Sequence, residues 1–417
     1  LKRRAWVIGA GLAGLSAAVE LTQAGFAVEA AEAAAQAGGR CRSHHDPKLG
    51  RVIDNGNHLV LSGNEAVARY LATIGASDRL SGPDAAAFPF VDRASGARWT
   101  FRPNQGRLPW WMLARDRRTP GTTALSHARF VSLMTGAHGQ TVAARVDPQG
   151  PVWDKLLRPV LLAALNTAPE EASAALTASV IRETLARGGR AMRPMIAEPS
   201  LAAAFVDPAL AWLAARGVAV AVGRRLKSLT IEGDRIAGLD FGDGGRPVAA
   251  NDAVVLAVPP WVAAALLPGL TVPDEHRAIV NAHFAYRPPA EAPRMIGVIG
   301  GDAEWIFAFD DRISVTVSAA DRLIDVDREQ LARRFWADIA AVHGLPVALP
   351  PWQIVKEKRA TFAATPAQDA RRPPAATRWR NLILAGDWTQ TGLPATIEGA
   401  LRSGATAARL AAALRVV

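Results

Sequence analysis

Three glycines spaced Gly9-x-Gly11-x-x-Gly14, set between an apolar run and a helical pattern, constrain this chain more than any other stretch. Ala5 to Ile8 reads as a buried strand, and Leu15 to Ala24 carries helical periodicity without Pro or Gly. A bare GxGxxG is weak evidence, but between a strand and a helix it has a mechanism. Gly9 permits the tight turn, Gly11 lets the backbone approach a pyrophosphate, and Gly14 lets helix and strand pack closely. The helix N-terminus adds unpaired N–H groups and the positive end of its dipole. Ala27 to Ala31 reads as the next strand, and Glu32 closes it about 20 residues beyond the glycines, where an acid accepts hydrogen bonds from an adenosine ribose. That acid disfavours the 2′-phosphate of NADP. The unit predicts an α/β fold with a Rossmann-like dinucleotide domain. Lys2-Arg3-Arg4 before an apolar stretch imitates a secretory signal, but the glycines and Glu20 interrupt its apolar core.

A chain of 417 residues, half of them hydrophobic, is long for one core, so two domains are expected. No segment is long and apolar enough to span a bilayer, which predicts a soluble protein or one held on a membrane surface. The single cysteine, Cys41, excludes an internal disulfide and cysteine-ligated metal, suits a reducing cytoplasm, and reads as a packing residue. The histidines show no HxxxH or HExxH spacing, so no metal site is expected. The net charge of +10 is largely arginine spread along the chain, without a basic ribbon interleaved with aromatics. Nucleic acid is not an expected partner.

Residues 65–75 have helical spacing, and Phe88–Asp92 with Arg98–Arg102 reads as a hairpin around Ser95-Gly96. The second domain is placed to begin near residue 83. Leu108-Pro-Trp110-Trp111-Met-Leu113 with Arg115, Arg117 and Arg118 behind it fits two descriptions. One is an interfacial element that dips into headgroups; the other is a buried aromatic plug. Residues 153–167, with a kink at Pro159, and 176–187 read as helices whose apolar faces line a pocket for an apolar ligand. Asn166 at the end of the first either hydrogen-bonds a substrate oxygen or caps the helix. Further helices are expected at 201–216 and 327–343. Strands are expected at 218–222, 226–231, 235–241, 251–257, 283–286, 295–299, 305–309, 313–318, 354–362 and 381–385. Gly386-Asp387 follows the last strand, and Pro394–Ala400 opens the final helix.

Gly38-Gly39-Arg40, Asp54-x-Gly56-x-His58 and Gly386-Asp387, added to the glycine-rich unit, resemble the large FAD family of amine oxidases and phytoene-type desaturases. The resemblance implies non-covalent FAD, since no cysteine lies near the C-terminal motif. It implies that Gly38, Gly39 and Arg40 reach the pyrophosphate and that the strand with Gly56, Asn57 and His58 runs beside the flavin. Leu226 would pack on the adenine, and Gly386-Asp387 would reach the ribitol and pyrophosphate. The helix start at Thr396-Ile397 would face the flavin N1–C2=O edge, where reduced flavin carries negative charge that a helix N-terminus stabilises. By the same resemblance residues 1–82, 200–270 and 376–417 form the FAD-binding domain. Residues 83–199 and 271–375 form a mixed sheet-plus-helices substrate domain.

Three longer stretches, Ala163–Ser173, Glu357–Pro366 and Ala385–Gly399, are similar to the hydroxysqualene dehydroxylases of hopanoid synthesis, over nearly the whole chain. Asn57 stands where Gln is expected. That family implies a reductive reaction in which an allylic hydroxyl leaves as water and the resulting cation takes hydride from reduced flavin. It also implies a long isoprenoid substrate, squalene-pathway enzymes as partners, and a cytoplasmic site with peripheral contact at the membrane through Trp110-Trp111. His58 is the first candidate for the acid or its orienting partner, because histidine titrates near neutrality. Lys358 is the second, by analogy with a flavin-side lysine of amine oxidases, and Asn166 the third. An oxidising flavoenzyme is the alternative, either a desaturase or an amine oxidase, although two tyrosines make a thin aromatic cage. A flavin-free prenyl carrier conflicts with the complete set of FAD motifs.

Overall fold

Parallel strands buried on both faces are built from unbroken apolar runs, and Arg4–Ile8 occupies the middle of such a sheet. The computed structural model describes residues 2–414. Its five-stranded parallel sheet has the order Val220–Ala221, Ala27–Ala31, Arg4–Ile8, Ala253–Leu256, Leu382–Leu384. Ala5 to Ile8 stand in register with Ala253 to Leu256, so three distant stretches of chain meet in one layer. The helices Leu12–Gln23 and Ile397–Ala412 pack against each other beside this sheet. Their approach is close: a Cβ on Gly404 would lie 2.3 Å from the Ala13 carbonyl oxygen.

The larger sheet has seven strands: Trp352–Phe362, His276–Phe284, Ile313–Val317, Trp305–Ala308, Met295–Ile299, Phe88–Asp92 and Arg98–Phe101. Its pairs are antiparallel except Met295–Ile299 with Phe88–Asp92. Helix Arg328–His343 covers one face. Asp327 starts it by accepting from the Glu329 and Gln330 N–H groups (2.8 and 3.0 Å), and Gly344, at φ +65°, ends it. Phe335, Trp336 and Ile339 bury against Val280, Ala282, Phe284 and Val315. The intervening residues Asn281, His283, Ser314 and Thr316 are polar, yet also buried or nearly so, and face the other way. That polar face carries the site.

Several expected elements are displaced. The strand expected at 283–286 runs His276–Phe284, and the one at 218–222 shrinks to Val220–Ala221. The helix at 176–187 is Ala174–Glu183, broken at Thr184, where φ −118° and ψ −92° leave helical space. The chain from Asn55 to His58 is not a strand but a loop between Arg51–Asp54 and Leu59–Leu61. Leu59–Leu61 joins Pro194–Ala197 and Leu80–Ser81 in a small antiparallel sheet. Residues 102–150 contain only short helical turns, including Trp110–Met112 and Ala124–Ala128. Among the described residues no helix is long and apolar enough to cross a membrane.

Candidate active site

The three glycines of the opening motif do different work. Gly9 has φ +104°, and a Cβ there would lie 2.2 Å from the Ala257 oxygen; on Gly14 it would lie 1.8 Å from the Gly9 oxygen. Those two positions are dictated by packing. Gly11 has an ordinary φ of −70°, and a Cβ on it would meet nothing within 4 Å. No protein contact demands a glycine there, and the helix behind it starts without a side-chain cap. An open cradle beside uncapped N–H groups fits a pyrophosphate. Glu32 stands at its edge, its two carboxylate oxygens accepting from the Ala10 and Ala34 N–H groups at 2.8 Å each. Gly38 and Gly39, at φ +106° and +56°, bring the next turn against this loop, with Gly38 N donating to the Ala10 oxygen at 2.8 Å.

Arg40 is the junction of the site. Its guanidinium donates to Asp387 Oδ2 at 2.7 Å and to the Ala360 oxygen at 2.5 Å, tying the nucleotide half to both the C-terminal motif and the large sheet. Gly386 is needed because a Cβ would strike the Trp388 indole nitrogen at 2.3 Å, and that indole donates to the Val258 oxygen at 2.9 Å. Thr396 caps the final helix by accepting from Gly399 N at 3.0 Å, and Ile397 behind it is buried. Glu398, in the same first turn, points elsewhere. Its oxygens accept from Ala66 and Val67 N–H at 3.0 Å and start the helix Glu65–Ile74. Arg372, buried and unanticipated, holds the Gly386–Thr391 turn: it donates to the Asp387 and Thr389 oxygens and to Thr391 Oγ1.

The loop carrying His58 is bolted to the polar face of the large sheet. Asn281 Oδ1 accepts from Thr316 Oγ1 (2.7 Å) and from Asn57 N (3.3 Å), and Asn281 Nδ2 donates to the Asn55 oxygen (3.4 Å). Asn57 Nδ2 donates to Thr316 Oγ1 (3.1 Å) and to the Val315 oxygen (3.3 Å). This explains the departure from Gln: the shorter amide is spent on the sheet. Asn57 Oδ1 is buried without a protein partner, an acceptor left for a ligand or water. A Cβ on Gly56 would lie 3.0 Å from Asn281 Nδ2, so glycine lets the loop lie flat on that amide. His283 Nε2 donates to the Asp54 carbonyl oxygen (3.0 Å), and its Nδ1 accepts from Ser314 Oγ (2.8 Å). Gly56 and Asn57 were singled out from the sequence, but the four sheet residues that hold them were not. The signal was present as alternation, because Asn281, His283, Ser314 and Thr316 interleave with apolar residues along two strands.

His58 itself is partly buried. Burial, reinforced by the Arg40 charge, pushes its imidazole from the ordinary 6.5 down to about 4. The expectation that it titrates near neutrality is thereby corrected: it is a neutral imidazole at pH 7. His283 is pushed down to about 3 by the same desolvation. Because both folded values lie below 6.5, the unfolded chain binds protons that the folded chain refuses. Their contribution to stability is complete above pH 6.5 and is lost as the pH falls from 6.5 towards 4. The expected result is a melting temperature that drops across that window, with a shallower drop in H58Q. An identical slope in the variant would contradict the assignment.

The remaining candidates resolve differently. Asn166 is buried at the end of Arg158–Leu165 with φ +47°. Its side chain donates to Thr361 Oγ1 (2.9 Å) and the Arg277 oxygen (3.3 Å) and accepts from Ala319 N (2.7 Å). It is a helix terminus and three-way clamp, with both amide hydrogens and its oxygen engaged within the protein. Lys358 lies exposed at a bulge in Trp352–Phe362. That strand reaches the loop through Glu357, which accepts from Asn55 Nδ2 at 3.2 Å. Leu226 is buried in one apolar cluster with Trp6, Ile8 and Ala31. Cys41 is buried with its thiol pushed up to about 12, which leaves it inert at neutral pH. Of the two tryptophans, Trp111 is buried and Trp110 is half exposed, so each fits one of the two descriptions offered for the segment. A crevice of about 1030 Å³ runs along the outer side of the final helix between Glu20, Arg69, Glu183 and Arg402. Along it Arg69 pairs with Glu20, Arg187 with Glu65 and Arg402 with Glu183.

The family described as flavin containing amine oxidoreductase matches residues 12–412. Hydroxysqualene dehydroxylase of Rhodopseudomonas palustris is 53% identical over 407 residues, which is 97% of each chain. The enzyme of that name from Zymomonas mobilis is 49% identical over 405 residues, 97% of this chain and 98% of its own. Among solved structures, an oxidoreductase from Methanosarcina mazei superposes with a TM-score of 0.71, covering 97% and 99% of the two chains at 15% identity. Cyclohexylamine oxidase from Brevibacterium oxydans does so at 0.70, covering 99% of both at 15% identity. These likenesses establish the fold. The protein is an oxidoreductase whose cofactor is FAD. The chain belongs to the flavin containing amine oxidoreductases, and within them to the hydroxysqualene dehydroxylases.

Proposed function

We propose that the protein converts hydroxysqualene to squalene, with reduced FAD as the electron source. The observation that carries this reading is identity of about half the residues, across almost the whole length, to hydroxysqualene dehydroxylases. Bound in its reduced form, FAD would supply a hydride, which carries both electrons, in place of the hydroxyl group, and that group leaves with a proton as water. The glycine loop, Glu32, Gly38, Gly39, Arg40, Asp387 and the Thr396-Ile397 helix start hold the cofactor. Arg40 and the uncapped helix N–H groups neutralise its phosphates.

His58, on the loop fixed by Asn281 and Thr316, faces the substrate as a neutral imidazole and hydrogen-bonds the departing hydroxyl rather than acting as an imidazolium acid. The apolar side chains beyond it exclude water while a C–O bond breaks. A long isoprenoid dissolves in lipid, so the protein works at a membrane surface and hands squalene to the enzymes that consume it. The test is product analysis. FAD-loaded protein with a chemical reductant, free of oxygen, is expected to turn hydroxysqualene into squalene. Unchanged hydroxysqualene, together with bleaching of oxidised flavin by squalene or amines, would overturn the reading in favour of an oxidising enzyme.

A further inference from the structure

Ten large apolar side chains are exposed among the described residues, and five of them lie in one short stretch: Leu108, Trp110, Leu113, Leu125 and Val131. Leu108, Leu113 and Leu125 are 74–81% exposed. The helix Ala124–Ala128 that carries Leu125 is tied to the Trp110 segment through His127, which packs on Trp111. The same stretch holds half of the chain's excess positive charge, with six arginines between residues 102 and 131 against one acid, Asp116. The Arg117 guanidinium stacks 4.7 Å over the Trp110 ring, an arrangement that keeps both at a water–apolar boundary.

Directly beneath, Trp111 packs edge-on against Phe101 (4.8 Å) and His127 (5.1 Å). It belongs to a buried cluster with Phe88, Phe90, Met192 and Phe309. Met112 borders that cluster on one side, and Leu59 and Leu61, which follow His58, border it too. Apolar contact is therefore continuous from the exposed patch to the segment that carries His58.

We propose that residues 107–131 dock the protein on a bilayer bearing anionic headgroups and that the isoprenoid passes from that bilayer to the flavin face along the cluster beneath Trp111. Docking and substrate delivery are then one device. Exposed leucines and Trp110 sit among acyl chains, and the arginines meet lipid phosphates; neither half alone holds a protein durably, but together they do. The charge complementarity selects anionic lipid over a neutral bilayer. The delivery half rests on the isoprenoid reading given above; the docking half does not.

The test uses the FAD-loaded protein with two kinds of vesicle, phosphatidylcholine alone and phosphatidylcholine containing phosphatidylglycerol. Co-sedimentation is expected to be at least about tenfold stronger with the anionic vesicles and to fall in high salt. The triple variant L108S/L113S/L125S, altered only at exposed positions, is expected to lose at least about tenfold in vesicle binding. It should turn over vesicle-embedded hydroxysqualene correspondingly more slowly, while its activity on detergent-dispersed hydroxysqualene stays unchanged. Failure to bind anionic vesicles, or binding indifferent to the triple substitution, would overturn the proposal. So would light scattering that shows a dimer dissolved by the triple substitution, since a second copy would then be what covers the patch. Loss of activity in detergent with vesicle binding intact would instead count against the reaction assigned and leave docking standing.

Discussion

Gly11→Val is expected to give a folded protein that purifies without flavin. The substitution is accepted by the backbone, because Gly11 lies at φ −70° and ψ 177°, the extended region any residue adopts. It is accepted by the packing too, since a Cβ at this position meets nothing within 4 Å. What it occupies is the space through which a pyrophosphate reaches the N–H groups of Leu12–Gln23. The affinity for FAD should fall by at least about 100-fold, roughly 2.8 kcal/mol at 1.4 kcal/mol per tenfold. Circular dichroism of the apoprotein should not change. Gly14→Ala is the contrast, because its Cβ would sit 1.8 Å from the Gly9 oxygen and must push helix from strand. That variant should lose stability and flavin together. Measuring FAD affinity beside the apoprotein melting temperature separates the two. A Gly11→Val protein that retains its flavin would mean the cofactor phosphates lie elsewhere.

Arg372→Met should cost both stability and cofactor. Arg372 is almost wholly buried and serves the Asp387 and Thr389 carbonyls and Thr391 Oγ1 with one end of its guanidinium, while the other meets Asp369 Oδ1 at 3.1 Å. Methionine fills similar volume but leaves the buried Asp387 carbonyl without a donor, at about 1–3 kcal/mol, and the Thr389 carbonyl with the Thr391 N–H alone. Because those carbonyls belong to the turn that aims Asp387 at Arg40, the loss reaches the cofactor cleft as well. The expected outcome is a destabilisation of about 1–3 kcal/mol on unfolding, accompanied by a lower flavin-to-protein ratio. Arg372→Lys should fall between, since an ammonium supplies the charge without the fork that reaches several acceptors. A variant that melts like the parent would remove Arg372 from this role.

The nucleotide half of the protein was legible because its chemistry is local. Strand, glycines, helix and acid follow one another within 32 residues, and each glycine's purpose can be named from spacing alone. The Gly386-Asp387 turn and the final helix start were legible for the same reason. The other half was not, because its determinants come together only through tertiary pairing. Asn281 and Thr316 are 35 residues apart and become a unit only when two strands align. Glu398 reads as an ordinary acid in a helix's first turn, yet its carboxylate serves a different helix, 332 residues earlier in the chain. Asn166 carried a functional reading because a buried amide could do many things, and only the fold shows its donors and acceptor already engaged. Lys358 was a candidate by analogy with a flavin-side lysine of amine oxidases, but it lies at a bulge, and a bulge re-aims the side chains near it. The docking patch was half visible: Trp110 and the arginines are contiguous, whereas the exposure of Leu125 and Val131 appears only in the fold, where His127 packs on Trp111.

The most direct measurement is a single turnover without oxygen. The flavin of the purified protein is photoreduced, one equivalent of hydroxysqualene is added, and absorbance is followed while lipids are extracted at intervals. The expected result is return of the oxidised flavin spectrum at the rate at which squalene appears, one flavin for one squalene. A flavin that stays reduced beside intact hydroxysqualene would contradict the assigned reaction.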